Sequence, residues 1–338
     1  MKRALLVSVL CSFVCLFSGC GSSTSTSSSG GGGTPPTPPA QPVSAVAFVT
    51  ADAVTATYPA MSYVHVALLD HFDQFTSVGG DLYDSVTLSA DGKQILYEHP
   101  TSPGGKRGIY VMNSNGFGET LLTHDNYDNF NPQFSANGKK IVYNSHATHL
   151  YSPSIVVMNA DGTGGKEISL DQRVYPAIAA GMWAPALSPD GSKIAVGGWN
   201  AAYDIHGGIF VMNADGSNQS MLTNPGATGS GCLCSDGMPA FSADGTKIAF
   251  SRSYGTGVQD IFIIGTNGSN LTKLTDSQGA NWDPVFVGGK ILFVSNRDDT
   301  TGGSNGYDLY SINPDGSNLT RLTNDSVYTA FTMGGFQF

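Results

Sequence analysis

Two short turn motifs recur along this chain with one shared period, and this repetition constrains the fold more than any other feature of the sequence. The first motif is a glycine turn between two apolar segments, shortened in its last copy. Its glycines are spaced 46, 53, 54 and 44 residues apart: Gly92, Gly138, Gly191, Gly245 and Gly289. A second glycine turn interleaves with the first, at spacings of 46, 54, 52 and 48: Gly116, Gly162, Gly216, Gly268 and Gly316. Two independent markers with one period indicate tandem structural repeats.

Each repeat has the pattern of four short strands. In the third repeat we predict strand A at 184–188, strand B at 193–196, strand C at 208–213 and strand D at 219–223. The Asp-Gly and Asn-Gly pairs favour tight hairpins, because glycine accepts a positive φ without a steric penalty. Apolar residues recur at equal positions of strands B and C: Ile95, Ile141, Ile194, Ile248 and Ile291, then Ile109, Ile155, Ile209, Ile261 and Leu309. A lone four-stranded sheet cannot bury both faces, so the sheets are expected to pack radially as a β-propeller.

The repeated sequence also resembles a known family. The segment FSADGTKIAFSRS from Phe241, followed by DIFIIGTNGSNLTKLTD from Asp260, is similar to the WD40-like repeat of TolB-type propellers. The resemblance covers about residues 81–325. It implies an all-β propeller and leaves the function open, since such propellers have many roles.

Residues at both ends remain outside the five complete repeats, which fill 81–323. The segment VAFVT from Val46 resembles strand B, and YVHVALLDHFDQFTSV from Tyr63 resembles strands C and D. The C-terminal YTAFTMGGFQF resembles strand A. Joining these segments would close the ring and protect its sheet edges. We therefore predict a six-bladed propeller whose last blade is shared by the N- and C-termini, with a seven-bladed ring as the alternative.

The N-terminus has the features of an export signal. Lys2 and Arg3 precede an apolar run that ends in small residues and Cys20. This pattern resembles a bacterial lipoprotein signal, which implies lipidation of Cys20; a plain secretory signal and an uncleaved anchor are the alternatives. We predict a signal peptide at 1–19, the lipidated cysteine with a flexible Ser/Gly/Pro tether at 20–42, and the propeller at 43–338.

The charge of the chain limits its partners. The formal net charge is −10, and removal of residues 1–19 takes away two basic groups and no acid, which gives 14 minus 26, or −12. An acidic surface disfavours nucleic acid and direct adsorption to anionic lipid. We predict a monomer in the bacterial cell envelope, held by its N-terminal lipid alone at the periplasmic face of the outer membrane or at the cell surface.

The connections between strands differ between the two ends of each repeat. The A–B and C–D turns are short and alike, whereas the B–C and D–A loops are long and different in every repeat. Binding residues are often found on loops of a rigid scaffold. The variable loops carry the aromatic and basic residues that we predict to bind the partner: Arg173, Tyr175, Trp183, Trp199, Trp282 and Tyr127.

The same loops contain possible metal ligands. A transition-metal site could form from His124, His146, His149 and His206, as clustered histidines do in the related propellers of oligogalacturonate lyases. Asp125, Asp128 and Asn129 offer oxygen ligands suited to Ca²⁺. Solvent-exposed histidines and side-chain caps of turns explain both sets without a metal, so we expect no cofactor.

Two cysteines remain in the predicted propeller, Cys232 and Cys234 in the glycine-rich segment GSGCLCSDG. A disulfide within this loop and two free thiols are both compatible with the spacing.

Two classes of function fit these features. The first is a tethered module that binds a protein, peptide or glycan through its variable loops. The alternative is a carbohydrate-active lyase or hydrolase of the envelope with a histidine-based metal site on the same loops. We favour binding, because the residues do not assemble into a general base beside a charge stabiliser.

Overall fold

A computed structural model of the protein describes residues 45–51, 62–68, 75–78, 85–102, 105–146, 154–168, 182–198, 207–225, 234–255, 257–299, 307–323 and 333–336. For 45–78, Met182, Trp183 and 333–336, the description is limited to the backbone. Within all of these ranges, secondary structure is entirely β, and no helix has the length and apolar character to cross a membrane.

The strands follow one another along the chain in groups. The N-terminal strands are β1 (Ala45–Ala51), β2 (Ser62–Leu68) and β3 (Phe75–Val78). Blade 1 contains β4 (Val86–Leu88), β5 (Gln94–Pro100), β6 (Arg107–Asn113) and β7 (Thr120–Leu121). Blade 2 contains β8 (Asn129–Phe134), β9 (Lys140–Ser145), β10 (Ser154–Asn159) and β11 (Lys166–Ile168).

The later groups repeat this order. Blade 3 contains β12 (Met182–Leu187), β13 (Lys193–Gly198), β14 (Ile209–Asn213) and β15 (Ser220–Met221). Blade 4 contains β16 (Ser235–Phe241), β17 (Lys247–Ser253), β18 (Gln259–Gly265) and β19 (Thr272–Lys273). Blade 5 contains β20 (Asn281–Val287), β21 (Lys290–Ser295), β22 (Asp308–Ile312) and β23 (Thr320–Arg321), and β24 (Met333–Phe336) follows.

Every blade is an antiparallel four-stranded sheet in which each strand pairs with the next along the chain. The glycine turns that join these strands have the predicted conformation. Gly191, between strands A and B of blade 3, has a φ of 72°, and Gly216, between strands C and D, has a φ of 87°. A side chain other than glycine is disfavoured at such values, so the repeated glycines are explained by the repeated turns.

The predicted blade count needs a correction. We predicted six blades, with seven as the alternative, whereas five blades consist of four consecutive strands each. The segment predicted to begin a further blade supplies three strands only, and these form a composite four-stranded sheet in the order β24-β1-β2-β3. In this sheet β24 pairs with β1 from Ala45 to Phe48, and β24 also contacts β4 and β20, the first strands of blades 1 and 5. This sheet therefore combines three strands from the N-terminal part of the chain with one strand from the C-terminal part.

The core lies between neighbouring blades. The strand B and strand C columns predicted from the sequence are fully buried, with Ile194 and Ile209 both 0% exposed. Ile209 of blade 3 belongs to one apolar cluster with Phe250 and Phe262 of blade 4, while Ile194 packs with blade 2 residues. Each such side chain contributes roughly 1.5–3 kcal/mol through burial. The blades are therefore stable only as neighbours.

The first strand of four blades contains the same irregularity. The pairing of strands A and B shifts at an X-Pro pair in blades 2 to 5: Asn131-Pro132, Ala184-Pro185, Met238-Pro239 and Asp283-Pro284. The residue before each proline has a positive φ of 50–53° although it is not glycine. Proline is tolerated there because strand A is an edge strand and a bulge frees its nitrogen from the ladder.

Candidate functional site

The two ends of the blades differ in the connections that they carry. The turn face is the end that carries the A–B and C–D turns, and the loop face is the end that carries the B–C and D–A connections. Buried charges lie at the loop face in blades 1, 4 and 5, where the strands enter or leave the loops. Charges at the turn face are exposed, as in the pair of Lys93 and Asp91, whose side chains are 79% and 54% exposed.

The ion pair between Asp236 and Arg252 is the most enclosed of these. Arg252 Nε donates to Asp236 Oδ1 at 2.6 Å, and Arg252 donates a second hydrogen bond to Oδ2 at 2.8 Å. Thr223 Oγ1 from blade 3 donates to the same Oδ2 at 2.6 Å. The Arg252 guanidinium also lies 4.5 Å from the centre of the Phe262 ring. Both carboxylate oxygens are therefore occupied by protein donors, and the pair joins blade 3 to blade 4.

Asp260 forms a second enclosed centre in blade 4. It accepts hydrogen bonds from Thr275 Oγ1 at 2.6 Å and from the backbone nitrogen of Ser277 at 2.8 Å, and Lys273 Nζ lies 2.7 Å away. Burial opposes ionisation of this carboxyl, but Lys273 and the two hydroxyl residues outweigh it, so the pKa of Asp260 lies below its usual range. A carboxylate held by so many donors has a structural role.

Blades 1 and 5 use other residues for the same purpose. Arg107 donates to Glu98 Oε1 at 3.0 Å, and Glu98 Oε2 accepts from the backbone nitrogen of Asn131, the bulge residue of blade 2, at 2.6 Å. In blade 5, Asp308 accepts from Arg321 and from Thr323 Oγ1. A Leu-Thr pair, such as Leu322-Thr323, recurs at the end of strand D. Its threonine hydroxyl also accepts a hydrogen bond from a backbone N–H of strand C, as Thr323 accepts from Leu309, and this bond explains the recurrence.

A cavity of about 260 Å³ opens at the loop face beside blade 4. Its described lining comes from the end of strand B of blade 3, and from strands A, B and C of blade 4: Gly197, Gly198, Ser235, Asp236, Gly237, Met238, Ser251, Ser253 and Gln259. Gly197 must be glycine there, because a Cβ would lie 2.7 Å from the Gly237 Cα. The only charged side chain of this lining, Asp236, is the one held by Arg252.

The Asp283 carboxyl is a separate feature of the first strand of blade 5. Asp283 is the bulge residue that precedes Pro284, with a φ of 50°. Burial raises the pKa of Asp283 to about 7. The equivalent bulge residue in blade 2 is Asn131, which is neutral at every pH. This carboxyl therefore changes its ionisation near neutral pH without being required by the bulge.

Only part of the predicted binding set lies in the described residues. Trp282 is partly buried in the core of blade 5, with its ring 5.4 Å from that of Tyr307, and its indole nitrogen is buried without a hydrogen-bond partner. Tyr127 lies in the loop between blades 1 and 2 and is 43% exposed. Trp183 lies in strand A of blade 3, and Arg173, Tyr175 and Trp199 fall outside the described residues. The structure thus places Tyr127 and Trp282 at the loop face and well apart in the chain.

The predicted metal ligands have separate surroundings where they are described. His124 is exposed, and the His146 ring packs 4.9 Å from the Phe130 ring, while His149 and His206 lie outside the described residues. Asp128 accepts from Lys106 and from the backbone nitrogen of Arg107, and Asp125 accepts from Asn129. Within the part of the chain that the structure describes, no group of three or more His, Cys, Asp or Glu could hold a metal ion.

Cys234 precedes the cavity residues of strand A. It is buried and disulfide-bonded. Cys234 is the one cysteine in the described residues, and Cys232 as its partner stays a prediction.

Sequence reasoning missed the residues that shape the loop face most strongly. Asp236, Arg252 and Gly237 were not among the predicted binding or metal-ligating residues. The available signal was the alignment of the first strands, in which the residue before the X-Pro pair is Phe130, Trp183, Gly237 and Trp282. Among the four first strands that contain an X-Pro pair, the strand of blade 4 alone lacks an aromatic residue at this position.

Several solved protein structures have a fold similar to that of this chain. No protein-family model and no curated protein matches the sequence. TolB from Acinetobacter baumannii matches with a TM-score of 0.66 and 17% identity, over 87% of this chain and 67% of that chain. A putative TolB from Agrobacterium tumefaciens matches with a TM-score of 0.59 and 16% identity, over 87% and 99% of the two chains.

An enzyme has a similar fold. Oligogalacturonate lyase from Vibrio parahaemolyticus matches with a TM-score of 0.52 and 12% identity, over 82% of this chain and 80% of that chain. Identities this low establish the fold alone. The chain therefore has the TolB-like β-propeller fold that its repeats predict.

Proposed function

We propose that this protein is a binding module of the bacterial cell envelope, which holds an envelope protein, peptide or glycan at its loop face. The observation that carries the proposal is the cavity between Gly197 and Gln259 at this face. Buried ion pairs fix the strands around it, and a rigid frame lowers the entropy cost of binding. Asp236, the charged residue of the described lining, is held within the fold by Arg252 and Thr223, so binding rather than proton transfer fits the chemistry of this site.

The N-terminal sequence supports the location. A signal that ends in Cys20, followed by a tether at 21–42, would hold the propeller at a membrane and leave it free to reorient. The similarity in fold to TolB proteins supports an envelope role. The lipid at Cys20 would be the membrane contact, since the acidic chain has little electrostatic attraction to anionic lipid.

Photo-crosslinking in intact cells tests the proposed binding face. A photoreactive amino acid replaces Tyr127, which is 43% exposed at the loop face, or Phe117, which is 74% exposed in a turn-face loop. We expect a discrete crosslinked product from position 127 and none from position 117. Because both positions are exposed aromatics, a difference in accessibility cannot produce this result. A product at position 117 alone would contradict the proposal.

The membrane attachment has its own test. Cys20→Ala should abolish incorporation of a fatty-acid analogue and release the protein from the membrane fraction, because a tether without acyl chains has no affinity for a bilayer. Cys234→Ala is the matched control for cysteine loss and should keep the label. Wild-type protein that takes up no label would contradict lipidation.

A carbohydrate-active enzyme is the second candidate, and the likeness in fold to an oligogalacturonate lyase is the observation in its favour. Metal analysis of the purified protein separates the two. Stoichiometric Mn²⁺ or Zn²⁺ that is lost on substitution of His124 and His206 would favour the enzyme.

A further inference from the structure

The cavity at blade 4 lies beside a position of strand A at which blades 2, 3 and 5 have an aromatic residue. The strand A residue that pairs with strand B just before the bulge is Phe130 in blade 2, Trp183 in blade 3 and Trp282 in blade 5. In blade 4 the equivalent residue is Gly237, which pairs with Ser251. The fold thus has a ring position at this register, and blade 4 contributes no ring to it.

The space at Gly237 is open. A Cβ added to this residue would meet no atom within 4 Å, and its φ is not in the left-handed region. In blade 5 the equivalent Trp282 packs against the core. Glycine at 237 is therefore not required by backbone strain or by close packing on that side, and the consequence of its small size is the cavity that it lines.

A buried hydroxyl without a partner faces this site. Ser251 is 4% exposed and lines the cavity, and its Oγ has no hydrogen-bond partner. The equivalent strand B residue of blade 5 is Val294, which is fully buried, so the fold does not need a polar group here. A buried hydroxyl left unpaired costs about 1–3 kcal/mol. This cost would be recovered by a ligand that brings a hydrogen-bonding group.

The remaining lining is polar and neutral. Ser235, Ser253 and Gln259 are cross-strand neighbours of one another and lie on the same side of the sheet as Gly237 and Ser251. Serine hydroxyls and glutamine amides can each donate and accept. Because both oxygens of Asp236 are occupied by Arg252 and Thr223, the described lining of the cavity offers no free charge to a charged ligand.

We propose that this cavity, here named the blade 4 ring site, binds the phenol ring of a tyrosine from a partner protein. The inference rests on the proposed function, since it takes the loop face as the binding surface and names the residue that docks there. A phenol supplies a flat ring at a register where blades 2, 3 and 5 have an aromatic residue, and its hydroxyl can both donate to and accept from Ser251. Tyrosine is also enriched among residues that dominate binding energy, because it combines a large apolar area with a polar end.

The test uses the full chain in detergent and three defined probes: N-acetyl-tyrosinamide, N-acetyl-phenylalaninamide and glucose. We expect saturation-transfer NMR to detect binding of the tyrosine probe and to give no signal from glucose. The phenylalanine probe, which lacks the hydroxyl, should bind about fivefold more weakly than the tyrosine probe. Ser251→Ala should weaken the tyrosine probe by about the same factor and leave the phenylalanine probe unchanged. Gly237→Phe, which places the ring of the other blades in the cavity, should abolish both signals.

Thr272→Val is the matched control, because it changes an exposed hydroxyl on the outer strand of the same blade. It should bind both probes as the wild type does. If Gly237→Phe does not fold, the Ser251→Ala comparison still decides the test, because Ser251→Ala removes one oxygen atom only.

Several outcomes would overturn the ring site. These are equal binding of the two amino-acid probes, binding of glucose, tyrosine binding that persists in folded Gly237→Phe, and no binding by any probe. Crosslinking at position 127 with any of these results would retain the loop-face proposal and reject the ring site alone.

Discussion

The turn face and the loop face of this protein are built from the same repeats but use different chemistry. At the turn face, the A–B turns of blades 1 to 4 each have one Asp or Asn side chain that accepts a hydrogen bond from the flanking backbone, as Asp190 accepts from Ser192 and Asp244 accepts from Thr246. At the loop face, the polar contacts differ from blade to blade, with a Glu–Arg pair in blade 1 and Asp–Arg and Asp–Lys pairs in blade 4.

The difference between the faces teaches how stability and variation are separated in this fold. The turn contacts are local and exposed, so each is weak, and the same contact recurs in blades 1 to 4. The loop-face pairs are buried and reach between strands or blades, so each depends on its own neighbours. Removing one partner should therefore be far more costly at the loop face than at the turn face.

The largest effect is expected from Arg252→Met. This change leaves the fully buried Asp236 carboxylate without its counter-charge, and broken buried pairs cost about 3–5 kcal/mol. Urea unfolding at pH 7 measures the loss of stability. Lys93→Met is the matched turn-face control, since its partner Asp91 is exposed, and it should change the unfolding free energy by less than about 0.5 kcal/mol.

The double variant Asp236→Asn with Arg252→Met sharpens this comparison. It removes the stranded charge as well as the guanidinium, so it should be more stable than Arg252→Met alone. Equal losses for Arg252→Met and Lys93→Met would show that the two faces do not differ in the way proposed.

The turn face could be predicted from the sequence because its determinants are local. Each glycine stands beside the residues that form its turn. The spacing alone predicts an A–B turn at Gly191 and a C–D turn at Gly216. The apolar columns were predictable for a similar reason, since strands B and C recur with one period and bury the same position in every blade. Strand-like fragments at both ends of the chain predicted the composite sheet. Local sequence signals, however, do not determine the number of blades.

The loop-face site could not be predicted in the same way. The lining of the ring site comes from four strands of two blades, and the decisive residue, Gly237, acts through the side chain that it lacks. We predicted a binding role for Trp282 because of its residue type. In the structure Trp282 lies in strand A and packs against the core of blade 5. Only the strand register shows that Trp282 and Gly237 are equivalent, and register depends on the position of the bulge.

The second largest effect is expected from Asp283→Asn, and it depends on pH. The folded pKa of Asp283 is about 7 and the unfolded value is 3.8, so the folded state binds more protons between these values and stability falls as pH rises through this window. Asparagine removes the cost of ionising the buried carboxyl. At pH 8 the variant should be more stable by about 2 kcal/mol, and below pH 4 the difference should vanish.

Urea midpoints at pH 4 and pH 8 check this expectation. Asn131 already occupies the equivalent bulge in blade 2 with a φ of 52°, against 50° for Asp283, so the backbone should accept the change. A stabilisation of equal size at both pH values would show that ionisation of Asp283 is not its cause.

The smallest effect is expected at the turn face, from Asp190→Ala. Asp190 accepts hydrogen bonds from Ser188 Oγ at 2.6 Å and from the backbone nitrogen of Ser192 at 3.0 Å, and these bonds, with that from the Ser192 hydroxyl, lower its pKa to about 2. Because the group is exposed, solvent screening limits its contribution to about 1 kcal/mol at pH 7. A lowered pKa gives stability that is present above pH 4 and is lost as pH falls through 2.

Asp190→Asn separates the hydrogen bonds from the charge in this last prediction. Asn137 holds the equivalent turn of blade 2, where its Oδ1 accepts from Ser135 Oγ and from the backbone nitrogen of Lys139. Asparagine should therefore keep most of the stability of Asp190 and remove its pH dependence between 4 and 2, as measured by thermal unfolding across that range. Both variants should leave crosslinking at position 127 unchanged, because the turn lies at the opposite end of the blade. A loss of that crosslink in folded Asp190→Ala would mean that the two faces are coupled, and the separation of stability from binding would fail.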